Sequence, residues 1–490
     1  MSAEMTSDHP EDIDIPAGQV SFVPPIWLDL VTGINGKRAT ILAGGIMLHA
    51  LFMFITSTVL PTVVAEIGGV SYYAWAATFF AVGSIVGAVT TLPVVAKLTP
   101  RHAYLFGVLL FVVGGSTCAT ALNMAMFIAG RALQGLGGGL MSGMAFAMVP
   151  VVFPDALRPG AVALISSVWG PAALTGPLFG GALAGGGLWR TAFWTAAPIG
   201  LFLAILAYSV LPTQSLLSDR GDGFSKALGL RLILVAMAAL SLTVSSIPGR
   251  LSVSSIGVGG ALTCLCIAIR LDERDTHRIF LRGGFDIATP TGSITYTMIL
   301  LVLGVGTTSF IPYVFRVGFG APPLVGGYVA ALSSLAWTLG TLSTAGVGGA
   351  ARRRLIALAP LVCVAGLLGV AQGLSKSDLP LTAVCWAMFG GGVGISWPHL
   401  ASSLIECSPA SEREAAGAFV TLLQIGGAAL GAAFAGMVAN MTGLPMASSR
   451  AGVTVAAFGL FTTFAVAPLL AAFFANRFLR DDNLYRNDPA

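Results

Sequence analysis

Three runs decide the fold: GRALQGLGGG at 130–139, SSVWGPAALTGPLFGG at 166–181 and LWRTAFWTAAPIG at 188–200. Each lies in a nearly charge-free apolar background, and the first sets a single arginine, Arg131, inside it. A guanidinium in mid-membrane costs roughly 2.5 to 3.5 kcal/mol on insertion scales, so a charge kept there needs a partner or a purpose. The glycines and prolines that follow let helices approach closely and bend. Read outward from these runs, the chain is a helical protein that moves while embedded in lipid.

The rest of the composition agrees. The 490 residues are 56% hydrophobic and only 9% charged, with a mean hydropathy of +0.87, against about 25% charged residues in a soluble domain. The fold class is an all-α integral membrane protein. Apolar stretches of about 20 residues cross a hydrocarbon core of roughly 30 Å as helices, and they recur from Ala39 to Phe474 without the short alternation of barrel strands. The six cysteines form no spaced metal or disulfide pattern and read as small apolar residues. No cofactor or metal is called for. The first 38 residues are polar, acidic and proline-containing, unlike a signal peptide, and read as a cytoplasmic tail with a short interfacial helix near 25–31.

Apolar windows fall at 39–65, 72–97, 103–122, 123–153, 159–185, 190–212, 228–247, 251–270, 292–316, 322–347, 354–374, 379–405, 412–441 and 451–475, which makes about fourteen spans. An even number puts both termini on one side. That side then carries 19 of the 25 Lys and Arg residues, from Lys37 and Arg38 to Arg486; the other carries Arg190, Arg250, Arg316, Lys376 and Arg450, and Arg131 remains inside a span. Such a bias marks the cytoplasmic side, so a plasma membrane, bacterial inner membrane included, with both termini inside is expected. The longest polar connections isolate one helix pair between two sets of six. The expected organisation is a tail at 1–38, a six-helix bundle at 39–212, a central pair with its loops at 213–291, a second six-helix bundle at 292–475 and a tail at 476–490. GPAALTGPLFGG at 170–181 and GGAALGAAFAG at 426–436 occupy matching places in the two sets, as in transporters built from repeats.

These residues together resemble the major facilitator superfamily, and within it the fourteen-helix drug/proton antiporter branch, over roughly residues 39–475. TSTVLPTVVAEIGG at 56–69 followed by YYAW is similar to the close of that family's first helix. Arg131, Gln134, Gly135, Gly137 and Gly139 match the R-x-x-Q-G-x-G-x-G run of its fourth. Gly176, Pro177, Gly180 and Gly181 match the antiporter motif of its fifth, with Ala172 in place of the first glycine. The resemblance implies a bend at that motif which packs the two halves together and discourages leak, and a buried Arg131 whose interactions change with protonation or with the inward/outward switch. The chain departs from the family in PVVAKLTPRHAY at 93–104, which has Lys97, Arg101 and His102 but no acid, in Phe52 near the place of a common Asp, and in Tyr313-Val314-Phe315 where relatives often read Y-L-Q.

Proton coupling needs a group that titrates within the membrane, and the inventory is short: His49, His399, Glu66 and Glu406. His49, with Met53, Thr56 and Leu60 following at helical spacing, is the first candidate to face substrate or proton, against the reading of a hydrogen-bonded packing histidine. His399 on the twelfth window is the second. Glu66 and Glu406 sit near helix ends, where water or headgroups are the simpler partners. For Arg131 the alternatives are a switching charge, a structural hydrogen-bond hub or snorkelling. Tyr296, Thr307, Thr308 and Tyr313 on the ninth window are candidates for the opposite wall of a site shared with Met53 and Thr56.

The expected activity is secondary transport by alternating access, proton-coupled efflux of a hydrophobic or amphipathic, drug-like or lipid-like compound, with membrane lipids as surroundings. Uniport or import of a small organic solute is the alternative. An intramembrane enzyme is disfavoured because Ser142 and the Ser396/His399 pair lack a G-x-S-x-G frame or partner acid. A non-transporting receptor or scaffold built on the same fold is a comparably minor alternative. No P-loop occurs, and Arg352 to Arg354 read as a topology or anionic-lipid contact rather than a nucleic-acid site.

Overall fold

The computed structural model describes residues 26–154, 157–213, 226–244, 251–273, 280–344, 347–409, 412–447 and 449–486, and every regular element among them is helical. A short helix α1 (Ile26–Val31) precedes α2 (Gly33–Ile67), whose 35 residues run about 52 Å at 1.5 Å each and so extend beyond the hydrocarbon core. Gly68 and Gly69, both with positive φ, end it. There follow α3 (Trp75–Val89), α4 (Thr91–Ala119), α5 (Met124–Val152), α6 (Arg158–Ser167), α7 (Trp169–Gly185), α8 (Trp189–Trp194) and α9 (Ala196–Val210). The reversal expected between the second and third windows falls within α4 at Thr99, whose φ of 68° and ψ of 157° break the helix just before Pro100. Next come the central pair, α10 (Lys226–Val244) and α11 (Leu251–Glu273), then α12 (Pro290–Leu303), α13 (Phe310–Tyr313), α14 (Pro323–Thr344), α15 (Gly349–Ser375), α16 (Leu379–Glu406), α17 (Arg413–Met441) and α18 (Arg450–Arg486). Among the described residues, 11 helices are long and apolar enough to cross a membrane. The segments of the fifth, seventh and eighth windows are not among those 11.

Two expectations about helix continuity are corrected. The fifth window is not one helix: it divides at Val168, between α6 and α7, and Pro177 lies within α7. Pro171 explains the position, because it has no N–H to offer the Ser167 carbonyl one turn back. The ninth window is not one helix: after α12 the chain runs as a 3-10 turn at Gly304–Ser309, then α13, then a π turn at Val314–Gly318. Pro312 cannot donate to the Thr308 carbonyl, and the Thr307 and Thr308 hydroxyls donate instead to the carbonyls of Gly304 and Val305.

Each bundle is held by backbone contact. On α5, residues 135 and 139 share a face, and a Cβ at either would overlap a carbonyl of α3, that of Phe80 or of Ser84; α3 answers with Gly83 and Gly87 against the carbonyls of Ala132 and Leu136. Gly137 points elsewhere, onto the Gly107 carbonyl and the Phe111 amide of α4. Helices without side chains between them approach closely, which in lipid supplies the packing that the hydrophobic effect does not. In the second bundle Gly390 and Gly394 of α16 meet Ser333 and Trp337 of α14 in the same way.

The bundles meet along two seams, α7 and α2 against α14, and α17 against α3. In the first, Gly176 and Gly180 lie on Phe54 and Ile55 of α2, while Gly181 and Pro177 reach Leu324 and Gly327 of α14. The end of the molecule that carries Lys37, Arg38 and Arg352 is called here the basic end. At the opposite end, Tyr73 Oη donates to the Ser309 carbonyl at 2.9 Å and Asn440 Nδ2 to the Ser71 carbonyl at 3.0 Å, each joining one bundle to the other. The Tyr73 ring also packs on Phe310 and Tyr313, at 5.3 and 5.0 Å between centroids. In the central pair Arg231 forms a buried ion pair with Asp272, whose other oxygen accepts from the Phe280 amide at 2.7 Å. Helix α10 rests on both α3 and α17.

Candidate functional site

Arg131 lies on α5 about 11 Å in from its first residue, where Asn123 caps the helix by accepting from the Met126 amide at 2.9 Å. Its side chain is 1% exposed. Nη1 donates to Gln134 Oε1 at 2.7 Å, one helical turn on, and the guanidinium sits 3.9 Å from the centre of the Phe80 ring. His49 of α2 stacks on the same ring, at 4.7 Å and 22° between planes, and meets Trp169 of α7 edge-on at 6.3 Å. Gly138 leaves the room for it, since a Cβ there would overlap His49 Nδ1. The fourth-helix run therefore does three things at once: Gly135 and Gly139 seat α3, Gly137 seats α4, and Gly138 seats the histidine.

The electrostatics of this site are unusual. Arg131 Nε, Gln134 Nε2 and His49 Nδ1 are buried and have no hydrogen-bond partner among the described residues. The contacts of the Arg131 guanidinium are a neutral amide and an aromatic face, an attraction of about 2 kcal/mol when desolvated. One turn beyond His49 on the same face, Met53 is 38% exposed, although α2 is packed by α5 on one side and by α7 and α14 on the other. Trp169, which His49 meets edge-on, is 39% exposed.

Other sequence candidates fall elsewhere. Thr56 is buried with its hydroxyl turned back to the Phe52 carbonyl at 2.6 Å, and Phe52 itself is a core residue against Phe111. His399 is buried near the basic end of α16, in the second bundle, with Nε2 unpartnered. Glu66 is a clasp at the opposite end: it accepts from Trp189 Nε1 at 2.5 Å and pairs with Arg190, which also donates to the Ala121 carbonyl and lies over the Trp189 ring. Glu406 pairs with Arg352 at 3.0 Å, and Arg352 bonds Ser403 as well. Both acids are ion-paired rather than simply hydrated.

The expected opposite wall is not assembled. Tyr296 donates to the Phe285 carbonyl and stacks on Phe474, which ties the chain entering α12 to α18. Thr307 is buried in its own 3-10 turn, and Tyr313 belongs to the closure around Tyr73. Phe80, Trp169, Tyr73 and Asn440 are the residues that sequence reasoning passed over; Phe80 and Trp169 stand out only by being aromatic on helices that the glycine runs bring to α2.

Residues 42–429 match the model of the Major Facilitator Superfamily. The chain belongs to this family. A relative named as a probable multidrug-efflux transporter of Mycobacterium tuberculosis is 31% identical over 479 residues, covering 94% of this chain and 98% of its own. Among solved structures, a bacterial homologue of the human lysosomal transporter Spinster superposes with a TM-score of 0.64 at 14% identity, covering 92% of this chain and 98% of that one. A D-xylose-proton symporter superposes with a TM-score of 0.62 at 15% identity, covering 91% and 98%. The likenesses establish the fold: this major facilitator protein is a multi-pass membrane transporter, not an enzyme.

Proposed function

We propose that this transporter exports a hydrophobic or amphipathic, drug-like or lipid-like compound by alternating access, as a fourteen-helix drug/proton antiporter driven by inward proton flow. The observation that carries the reading is the buried stack of His49, Phe80 and Arg131, with the two bundles joined at the end opposite the basic end by Tyr73 and Asn440. A titratable ring stacked with a fixed charge between helices is an arrangement in which proton binding and the inward/outward switch can be coupled. The 31% identical relative, named for multidrug efflux, supports the direction. We take the basic end as cytoplasmic in the plasma membrane, with 39–212 and 292–475 as the rocking halves and 213–291 as the insert between them. The family motif at Gly176 to Gly181 then acts as the contact on which the halves roll.

Purified protein in liposomes under an imposed pH gradient tests this. Adding hydrophobic compounds should move protons, and His49→Ala should abolish that movement while His399→Ala leaves it. Silence across a broad library of such compounds would falsify proton antiport, and cargo movement without protons would assign uniport.

A further inference from the structure

We infer that the cavity at the basic end between α15, α16 and α18 binds the headgroup of an anionic phospholipid, a phosphodiester such as phosphatidylglycerol. The site lies away from both seams and does not depend on the cargo or the coupling ion.

The cavity measures about 460 Å³, within the range of about 300 to 1,000 Å³ of small-molecule sites. The first turn of α15 lines it with Gly349, Arg352 and Arg353, α16 with Ser403 and Glu406, and α18 with Phe478. Helix α15 packs on α16 and α18, whereas the seams are made by α2, α3, α7, α14 and α17.

The polar side of the cavity is poised for one negative charge. Arg352 donates to Ser403 Oγ at 2.6 Å and pairs with Glu406 at 3.0 Å. The Glu406 side chain is 55% exposed, and an ion pair so open to water holds its partners weakly. Arg353 Nη2 donates to the Leu479 carbonyl at 2.7 Å and has no acid among its described contacts. Gly348 caps α15 without a side chain, which leaves the positive end of the helix dipole beside the two arginines. Two guanidiniums and one carboxylate leave a single positive charge on the lining. A phosphodiester carries one negative charge, and its two free oxygens match the fork of a guanidinium. A phosphate monoester carries close to two and would set the excess beside Glu406.

The apolar side decides for a lipid over a soluble ion. Ile356 and Phe478 also line the cavity. Next to Arg353, the residues Arg354, Leu358 and Leu361 share one face of α15 at i, i+4 and i+7, and all three are exposed. Leu358 and Leu361 lie about 8 and 12 Å further into the span than Arg353. A soluble phosphate uses none of that surface, whereas acyl chains cover it when their phosphate sits at Arg353. Basic pockets between membrane helices are where anionic headgroups bind.

Native mass spectrometry of the detergent-solubilised full chain, titrated with dioleoylphosphatidylglycerol or dioleoylphosphatidylcholine, tests this. The choline ammonium, roughly 10 Å from the arginines at an effective permittivity of about 20, should weaken binding about tenfold relative to phosphatidylglycerol. Arg353→Gln should weaken phosphatidylglycerol binding roughly 10- to 150-fold, the loss of one charge-assisted hydrogen bond, and Arg353→Lys should keep most of the affinity. Glu406→Gln should tighten it about tenfold, a gain that a purely structural ion pair would not give and that decides the matter should Arg353→Gln fail to fold. A millimolar excess of inorganic phosphate should leave the lipid bound. Equal affinity for the two lipids overturns the inference, as does unchanged phosphatidylglycerol affinity in both Arg353→Gln and Glu406→Gln. Displacement of the lipid by inorganic phosphate overturns it too, by assigning the cavity to a soluble phosphate.

Discussion

The seam at the end opposite the basic end offers the sharpest perturbation. Tyr73→Phe removes one hydroxyl that donates across the seam while keeping the ring that packs on Phe310 and Tyr313. Asn440→Ala removes the amide that reaches the Ser71 carbonyl. Each hydrogen bond contributes about 0.5 to 1.5 kcal/mol net, so the double variant weakens the closed seam by about 1 to 3 kcal/mol, or roughly 5- to 150-fold in the closed/open equilibrium. A seam open in about 1% of molecules would become open in about 5% to 60%. Spin labels at Leu122→Cys in the first bundle and Met446→Cys in the second, 80% and 75% exposed, report the separation there. The exposed Cys266 and Cys407 would be replaced beforehand. Pulsed dipolar spectroscopy should show a longer-distance population growing in the double variant. An unchanged distance distribution would refute the claim that these two bonds hold the bundles together at that end.

Gly139→Ala should lower the melting temperature in detergent, since its Cβ would overlap the Ser84 carbonyl and overpacking against backbone costs about 1 to 3 kcal/mol; an unshifted melt would mean that α3 and α5 separate freely. Arg231→Met alone should destabilise by about 3 to 5 kcal/mol by stranding Asp272, whereas Arg231→Met with Asp272→Leu should recover most of that loss, as thermal unfolding of the two variants would reveal. Thr99→Gly should raise thermal stability by about 1 kcal/mol or more, because φ 68° with ψ 157° is a region that glycine occupies without strain; a lower melting temperature would show that the contact of the Thr99 hydroxyl with His102 outweighs the backbone term.

Much of the architecture was readable because lipid imposes it: a span must be helical, apolar and about 20 residues long, so windows and turns nearly coincide with the helices. The spacing of the glycines at 135, 137 and 139 likewise anticipated close packing, although which neighbour each one admits depends on where α3, α4 and α2 lie. The site was less legible. His49 and Arg131 were both candidates, yet their common partner Phe80 is one of 28 phenylalanines and nothing local distinguishes it. The break at Val168 was hidden because two prolines, Pro171 and Pro177, share one window, and spacing alone does not say where the helix divides. Tyr296 and Tyr313 share a window but sit at opposite ends of an irregular span, which helical spacing alone does not reveal.

The position of α10 has a bearing on how cargo arrives. Lying against both α3 and α17, it covers one of the two lines along which the bundles meet, while the line between α7 and α14 has no such helix over it among the described residues. A molecule dissolved in the bilayer therefore meets a lopsided protein: one flank lies behind an inserted helix, while at the other the close contact of Gly181 with Leu324 itself faces the surroundings without such a helix among the described residues.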